Sequence, residues 1–405
     1  MPYAEGARFD PDKGCMSTTR KEIIGEISEW VNSPNADKAP CIFFLSGVAG
    51  FGKSAIAHAV ARQFDQLGRL GLSYCFDHAD QANHRPSNLL STIALDIADL
   101  DHQWKRSLGD VVKGSRSLRT TLSATEQFKN FILEPSKALT TIGPIVIVIN
   151  ALDESGAKSY HQTLLQVLAK RASDLPPNFQ VLITAHPEAD ILNTFSDNLY
   201  IFCKHMDTIE KSSNESNISL FIKNQLTDIP SLEIQWPQRR WCRMLLEGSD
   251  GLFQWASTAC QAIKDSKGGV RPTELLTRFC SLEHGLDGLY SEVLGQTFDA
   301  NNAMVMSRFK LVMGRILEVK EPLSVSAHSK LCYGDDDTDL VALIVQSMGS
   351  LLSGISQTDR PVRALHASFF DFLTDESQSK SYYVDASQQN VSLTLLTFRA
   401  MKSWL

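Results

Sequence analysis

The chain has 405 residues, a formal net charge of −7, and 43% apolar against 21% charged side chains. That length exceeds one ordinary domain and predicts two to three compact units, each able to bury its own core. The acidic balance argues against broad attraction to nucleic acid, which needs a basic face, and no run approaches the roughly 18 uninterrupted apolar residues of a membrane span.

The opening MPYAEGARFDPDKGCMSTTR is polar, carries acidic residues and lacks the apolar centre of a signal peptide, so a cytoplasmic location is expected. Eight cysteines are scattered without CxxC spacing, several of them in apolar runs. They read as reduced, mostly buried thiols rather than disulfides or a zinc site.

The first half then alternates short apolar runs with longer amphipathic stretches, the signature of a parallel sheet covered by helices on both faces. Strands are expected at residues 41–46, 71–77, 144–149, 179–184 and 198–204, all continuous apolar runs as doubly covered strands should be. Helices are expected at 53–68, 86–99, 124–133 and 159–173, the last with Leu164, Leu165, Val167 and Leu168 on one stripe. After Cys203 the strand pattern stops, and helical segments continue to about residue 280. More helices follow, including 303–318 and 337–349, and then two short strands near 349–355 and 361–366 flank the turn SQTDRP. Helices followed by a β-hairpin are the layout of a winged helix. The expected division is an α/β nucleotide-binding domain at 1–205, a helical domain at 206–283, a winged-helix domain at 284–380 and a C-terminal helical segment at 381–405.

Residues 47–54, GVAGFGKS, fit GxxxxGK[ST] at Gly47, Gly52, Lys53 and Ser54, after an apolar strand and before a helix, where the chemistry requires them. Such glycines let backbone amides turn inward around a phosphate, and the helix amino terminus adds partial positive charge. Ala49, Gly50 and Ala55 complete the backbone cradle; Lys53 would reach the β and γ phosphates, and the Ser54 hydroxyl would ligate Mg²⁺.

A phosphate-binding loop works with a second strand that ends in an acid holding the metal. The segment IVIVINALDES (145–155) is the candidate, and it has Asn150 at that position. Asparagine accepts a hydrogen bond from metal-bound water but carries no charge to offset Mg²⁺, so metal affinity should be weak. Asp153 and Glu154 follow, and either could orient an attacking water as a general base, or simply line a solvated loop. The fourth strand ends in ITAHPEADI, which puts Thr184 and His186 near a γ-phosphate in a sheet that seats this strand between the first and third; His186 could equally be an ordinary loop histidine. His366, in VRALHASFFDFLTD, sits between apolar neighbours and on the residues alone reads as structural.

Together these segments resemble the NACHT NTPases of the STAND (signal transduction ATPases with numerous domains) group, most closely those of fungi. The resemblance rests on GARFDPDKGCMSTTRKEIIGEISEWV, LSGVAGFGKSAIA, VIVINALDES, VLITAHPEADI, SDGLFQWASTACQAI, LDGLYSEVLGQTF and LHASFFDFL, in the family's order along nearly the whole chain. It implies an α/β P-loop NTPase with sheet order 5-1-4-3-2, followed by a helical and a winged-helix domain. It further implies a switch that holds ADP at rest, exchanges it for ATP and self-associates on activation, acting on an effector protein the sequence does not name. His366 would then contact the ADP β-phosphate, GSDGLF (248–253) would lie on the helical-domain side of the nucleotide, and STTR (17–20) near the adenine.

Two departures matter. Family members carry Asp where this chain has Asn150, and Arg where it has His186. Both remove charge from the side of the pocket that handles Mg²⁺ and γ-phosphate, so adenine-nucleotide binding is expected to survive and hydrolysis to be slow or absent. The family's amino-terminal signalling domain and carboxy-terminal repeats cannot be read within these residues. Two other readings compete: a degenerate scaffold acting through protein contacts alone, and a winged-helix DNA reader, which the charge disfavours.

Overall fold

The computed structural model describes residues 1–33, 40–77, 85–156, 158–227, 229, 238–266, 270–282, 285–319, 321–333, 338–355 and 360–385. The chain divides into two compact units, Met1–Glu210 and the part from Lys211 onward.

The first unit is built on five strands, β1 (Ile42–Ser46), β2 (Leu70–Cys75), β3 (Ile145–Asn150), β4 (Phe179–Ala185) and β5 (Ile201–His205). All neighbours pair in parallel, in the order β2-β3-β4-β1-β5, which from the opposite edge reads 5-1-4-3-2. β1, β3 and β4 are buried along their whole length. Successive side chains point to opposite faces, so Phe43, Leu45, Val146 and Val148 enter one core and Ile42, Phe44, Ile145, Ile147 and Ile149 the other.

Helices α1 (Lys21–Asn32) and α2 (Lys53–Gln66) cover the first of those cores; α3 (Leu89–Leu100) and α4 (His102–Gly114) cover the second, with α5 (Lys158–Lys170) also on that side. A short helix, α6 (Ala189–Phe195), follows β4. The stretch expected as a helix from residue 124 begins as α-helix at Ala124–Gln127 and widens to π-helix over Phe128–Leu133. Pro135, just beyond, has no N–H with which to continue the ordinary ladder.

The second unit is helical: α7 (Lys211–Leu226), α8 (Gln238–Ser249), α9 (Phe253–Lys264), α10 (Pro272–Cys280), α11 (Leu286–Thr297), α12 (Ala303–Glu318), α13 (Val325–Tyr333) and α14 (Thr338–Gln346). The two expected strands shrink to β6 (Leu352–Ser353) and β7 (Arg363–Ala364), paired antiparallel, before α15 (Ala367–Thr374). One apolar core runs from Ile218 to Val384 and includes Trp255, Phe279, Tyr290, Phe309 and Phe372. Four residues of the turn SQTDRP and most of the expected C-terminal helical segment lie outside the described residues. Among the described residues no helix is long and apolar enough to cross a membrane, and the described cysteines are all free.

Candidate nucleotide-binding site

The loop between β1 and α2 has Gly50 and Gly52 at φ 82° and 89°, left-handed angles that cost other residues energy. Gly47 is required for a different reason: a Cβ there would lie 2.7 Å from Cβ of Met206, which follows β5 directly. Gly52 is also the N-cap of α2, and no side chain caps the helix. The first amides of α2 therefore depend on the loop or on a ligand, and such an end favours anions.

Lys53, 8% exposed, folds back so that its Nζ donates to the carbonyls of Gly47 at 2.6 Å and Val48 at 3.1 Å. Burial lowers its ammonium to about 8, and the nearby Asp153 and Glu154 oppose that shift. Ser54, one residue on, is exposed. A phosphate group fits this arrangement: glycines that admit close approach, a helix end without a side-chain cap, one cation inside the loop and one accessible hydroxyl.

The metal side differs. Asn150 is 4% exposed, and its Oδ1 accepts the Thr184 hydroxyl at 2.7 Å. Thr184 in turn accepts the N–H of Ala151 at 3.2 Å. At 1% exposure Thr184 braces β3 to β4, and its strand lies between β1 and β3 in the sheet. Ser54 and Asn150 supply neutral oxygens, a donor set that suits Mg²⁺ only weakly. Among the described residues no three His, Cys, Asp or Glu side chains cluster as a metal centre of their own.

Asp153 and Glu154 lie on a 3₁₀ turn, Leu152–Glu154, directly after β3. Asp153, with a side chain only 7% exposed, accepts the backbone N–H of His186 at 3.0 Å, and its other oxygen lies 3.5 Å from His186 Nδ1. The structure thus pairs the candidate base with the candidate sensor. Glu154, the next residue, is half-buried.

In the second unit, His366 is the N-cap of α15: its Nδ1 accepts the N–H of Ser368 at 3.2 Å and sits 2.7 Å from the Ser368 hydroxyl. The segment GSDGLF is the tight link between α8 and α9, with Asp250 and Gly251 at positive φ and the Gly251 carbonyl accepting from Asn214 Nδ2 at 2.9 Å.

Sequence reasoning assigned no separate role to Arg20. The structure buries it to 3% exposure, and its Nη2 donates to the carbonyl of Phe51 inside the loop at 2.8 Å. His205 also went unnoticed; its Nδ1 lies 2.5 Å from the Ser46 hydroxyl at the end of β1. Neither contact has a local signal, because each joins residues far apart in sequence.

The family model described as Nephrocystin 3, N-terminal, matches residues 19–186, from the Thr-Arg pair through the loop and β3 to His186. The structure of a STAND protein with a tetratricopeptide repeat sensor from Pyrococcus horikoshii aligns with TM-score 0.52 and 12% identity, covering 97% of this chain. The chain has the fold of a STAND-type P-loop NTPase. It spans 47% of the Pyrococcus protein's length. The Drosophila ORC bound to DNA aligns with TM-score 0.38 and 12% identity over 86% of this chain and 81% of that one. The Aeropyrum pernix ORC1 protein in complex with DNA gives 0.32 and 14% over 89% and 90%. No curated protein matches the sequence.

Proposed function

We propose that the chain is a nucleotide-dependent signalling switch that takes up ADP or ATP through residues 47–55 and hydrolyses it slowly or not at all. The observation that carries this reading is the loop itself. Lys53 is held against the Gly47 and Val48 carbonyls at the head of α2, while a neutral Asn150 ends β3, where the resemblance expects a metal-holding acid. In this proposal the backbone of Gly47, Ala49, Gly50, Gly52 and Ala55 cradles the phosphates, and Lys53 neutralises them. Mg²⁺ carried with the nucleotide would offset further phosphate charge, held weakly by Ser54 and Asn150. Asp153 or Glu154 would orient the attacking water.

The remaining assignments come from the resemblance to NACHT proteins. They are a winged helix at 284–380, a β-phosphate contact from His366, self-association on activation, an effector protein, a cytoplasmic setting and a part in fungal non-self recognition or cell death. The succession of α12, α13 and α14 followed by the β6–β7 pair is compatible with the winged helix. The Pyrococcus horikoshii protein is itself a signal transduction ATPase with a repeat sensor, which is in keeping with a switch.

A second reading, a scaffold that no longer cycles nucleotide, draws on two observations. Asn150 is tied to Thr184, and Asp153 is tied to His186. Measuring ADP and ATP affinity with and without Mg²⁺, together with turnover, separates the two. Submillimolar binding with little turnover supports the switch; no binding of either nucleotide below millimolar leaves the scaffold. The DNA-reading alternative requires a salt-sensitive shift with duplex DNA, and the acidic chain is expected to give none.

A further inference from the structure

The residues before α1 are laced along α2. Arg8 pairs with Asp65, the Asp10 N–H donates to His58 Nδ1 at 3.1 Å, and the Cys15 N–H donates to the Ala55 carbonyl at 3.2 Å. As the first partner's number rises the second falls, so the segment runs antiparallel to α2 toward the phosphate-binding loop. It ends at Arg20, the N-cap of α1, whose guanidinium reaches the Phe51 carbonyl at 2.8 Å.

We propose that Arg20 is a positioning residue for the phosphate-binding loop, fixing the Phe51–Gly52 peptide so that the Gly52 N–H faces the phosphate side. The inference rests on the nucleotide-binding reading above. In a planar trans peptide the carbonyl and the following N–H point in opposite directions. A guanidinium that holds the Phe51 oxygen on one side therefore aims the Gly52 N–H to the other, without touching the ligand. The loop alone does not fix this peptide, since Gly50 and Gly52 on either side of Phe51 are the residues freest to rotate.

Two further observations support the assignment. Arg20 adopts φ 58°, ψ 24°, a left-handed backbone that a side chain bearing a Cβ takes only when its surroundings impose it. It is also 3% exposed, so the guanidinium has been brought out of water to reach this carbonyl. Burial lowers its pKa to about 10, which leaves it cationic at neutral pH and adds fixed positive charge behind the loop.

The test uses the full chain and two variants, Arg20→Gln and Arg20→Lys, with ADP and inorganic pyrophosphate titrated calorimetrically and folding followed by thermal melting. The expected result is a folded Arg20→Gln protein that binds ADP and pyrophosphate weaker by a common factor of about ten or more. Arg20→Lys, which keeps the charge but loses the fork, should fall between it and wild type. A folded Arg20→Gln protein that binds both ligands within twofold of wild type overturns the proposal. If Arg20→Gln does not fold, the Lys variant decides: a threefold or greater loss in a folded protein supports positioning. Binding within twofold, or failure of that variant to fold as well, assigns Arg20 to stability alone and overturns it. Wild-type protein that binds neither ligand refutes the nucleotide reading itself, a different failure from normal binding in the variants.

Discussion

Asp153 accepts the backbone N–H of His186 at 3.0 Å and lies 3.5 Å from the same residue's ring nitrogen, so one carboxylate spans the loops leaving β3 and β4. The acid is 7% exposed and the histidine 41%, which makes the two ends unequal in cost. Asp153→Ala should lower stability by about 1–3 kcal/mol, because it removes a nearly buried carboxylate from the part-buried N–H that donates to it. His186→Ala keeps that N–H and removes a ring contact with Asp153 that is half-exposed at the histidine end, worth under about 1 kcal/mol. Thermal melting compares them, and equal losses would contradict the clasp.

Lys53 carries a pH signature. Burial, the largest cause, brings its ammonium from 10.5 to about 8. The folded state therefore holds this proton less tightly than the unfolded chain. The destabilisation is complete below pH 8 and fades as pH rises toward the ordinary lysine value. Phosphate binding requires the ammonium, so affinity for ADP should fall by up to about tenfold per pH unit above 8, with proton uptake on binding. Calorimetry at pH 7 and 9 in buffers of different ionisation enthalpy reads both quantities. Lys53→Ala should abolish binding across the range, and an affinity flat to pH 9 would contradict the assignment.

Asn150→Asp is sterically conservative, since aspartate can accept the Thr184 hydroxyl as the amide does. At 4% exposure, however, the new charge is desolvated, and the variant should lose about 1–3 kcal/mol without a cation. Mg²⁺ with nucleotide should restore that loss and strengthen binding. Combined with His186→Arg it should raise turnover measurably; no Mg²⁺ dependence in melting would show that residue 150 does not face the metal.

Asp101 is a structural carboxylate in the same unit. Its Oδ1 accepts the N–H groups of Gln103 and Trp104, while Oδ2 accepts the N–H and hydroxyl of both Thr140 and Thr141, all at 2.7–3.0 Å. Burial pushes its pKa up, but the hydrogen bonds from Trp104, Thr140 and Thr141 outweigh burial and hold it well below the usual carboxylate range. Its stabilisation is complete above the ordinary value of 3.8 and is lost as pH falls below it. Asp101→Asn places an amide donor against N–H and hydroxyl donors and should cost roughly 2–4 kcal/mol, read as a lower urea midpoint at pH 7.

The sheet was legible because doubly covered strands are continuous apolar runs, and β1, β3 and β4 announce themselves as such. β5 was harder to bound: its expected start at 198 gives way to Ile201, since Leu199 is exposed at the rim. The phosphate-binding loop was legible because its chemistry demands a fixed local spacing. What surrounds it was not. The Asp153–His186 and Thr184–Asn150 pairs exist because β3 and β4 are sheet neighbours, a long-range fact that leaves no trace near either residue. Arg20 was hidden for the same reason, and its left-handed backbone is one that propensity assigns to glycine. His366 shows the opposite case, a cap formed with Ser368 only two residues on, so that its pattern lies within the local sequence.

The most direct measurement is the nucleotide content of the native protein. Purified under mild conditions, denatured and run on an ion-exchange column, it should release ADP in near-stoichiometric amount, and the stripped protein should rebind ADP below millimolar concentration. Protein that comes off the column without nucleotide, and takes up neither ADP nor ATP at any Mg²⁺ concentration, would contradict the switch.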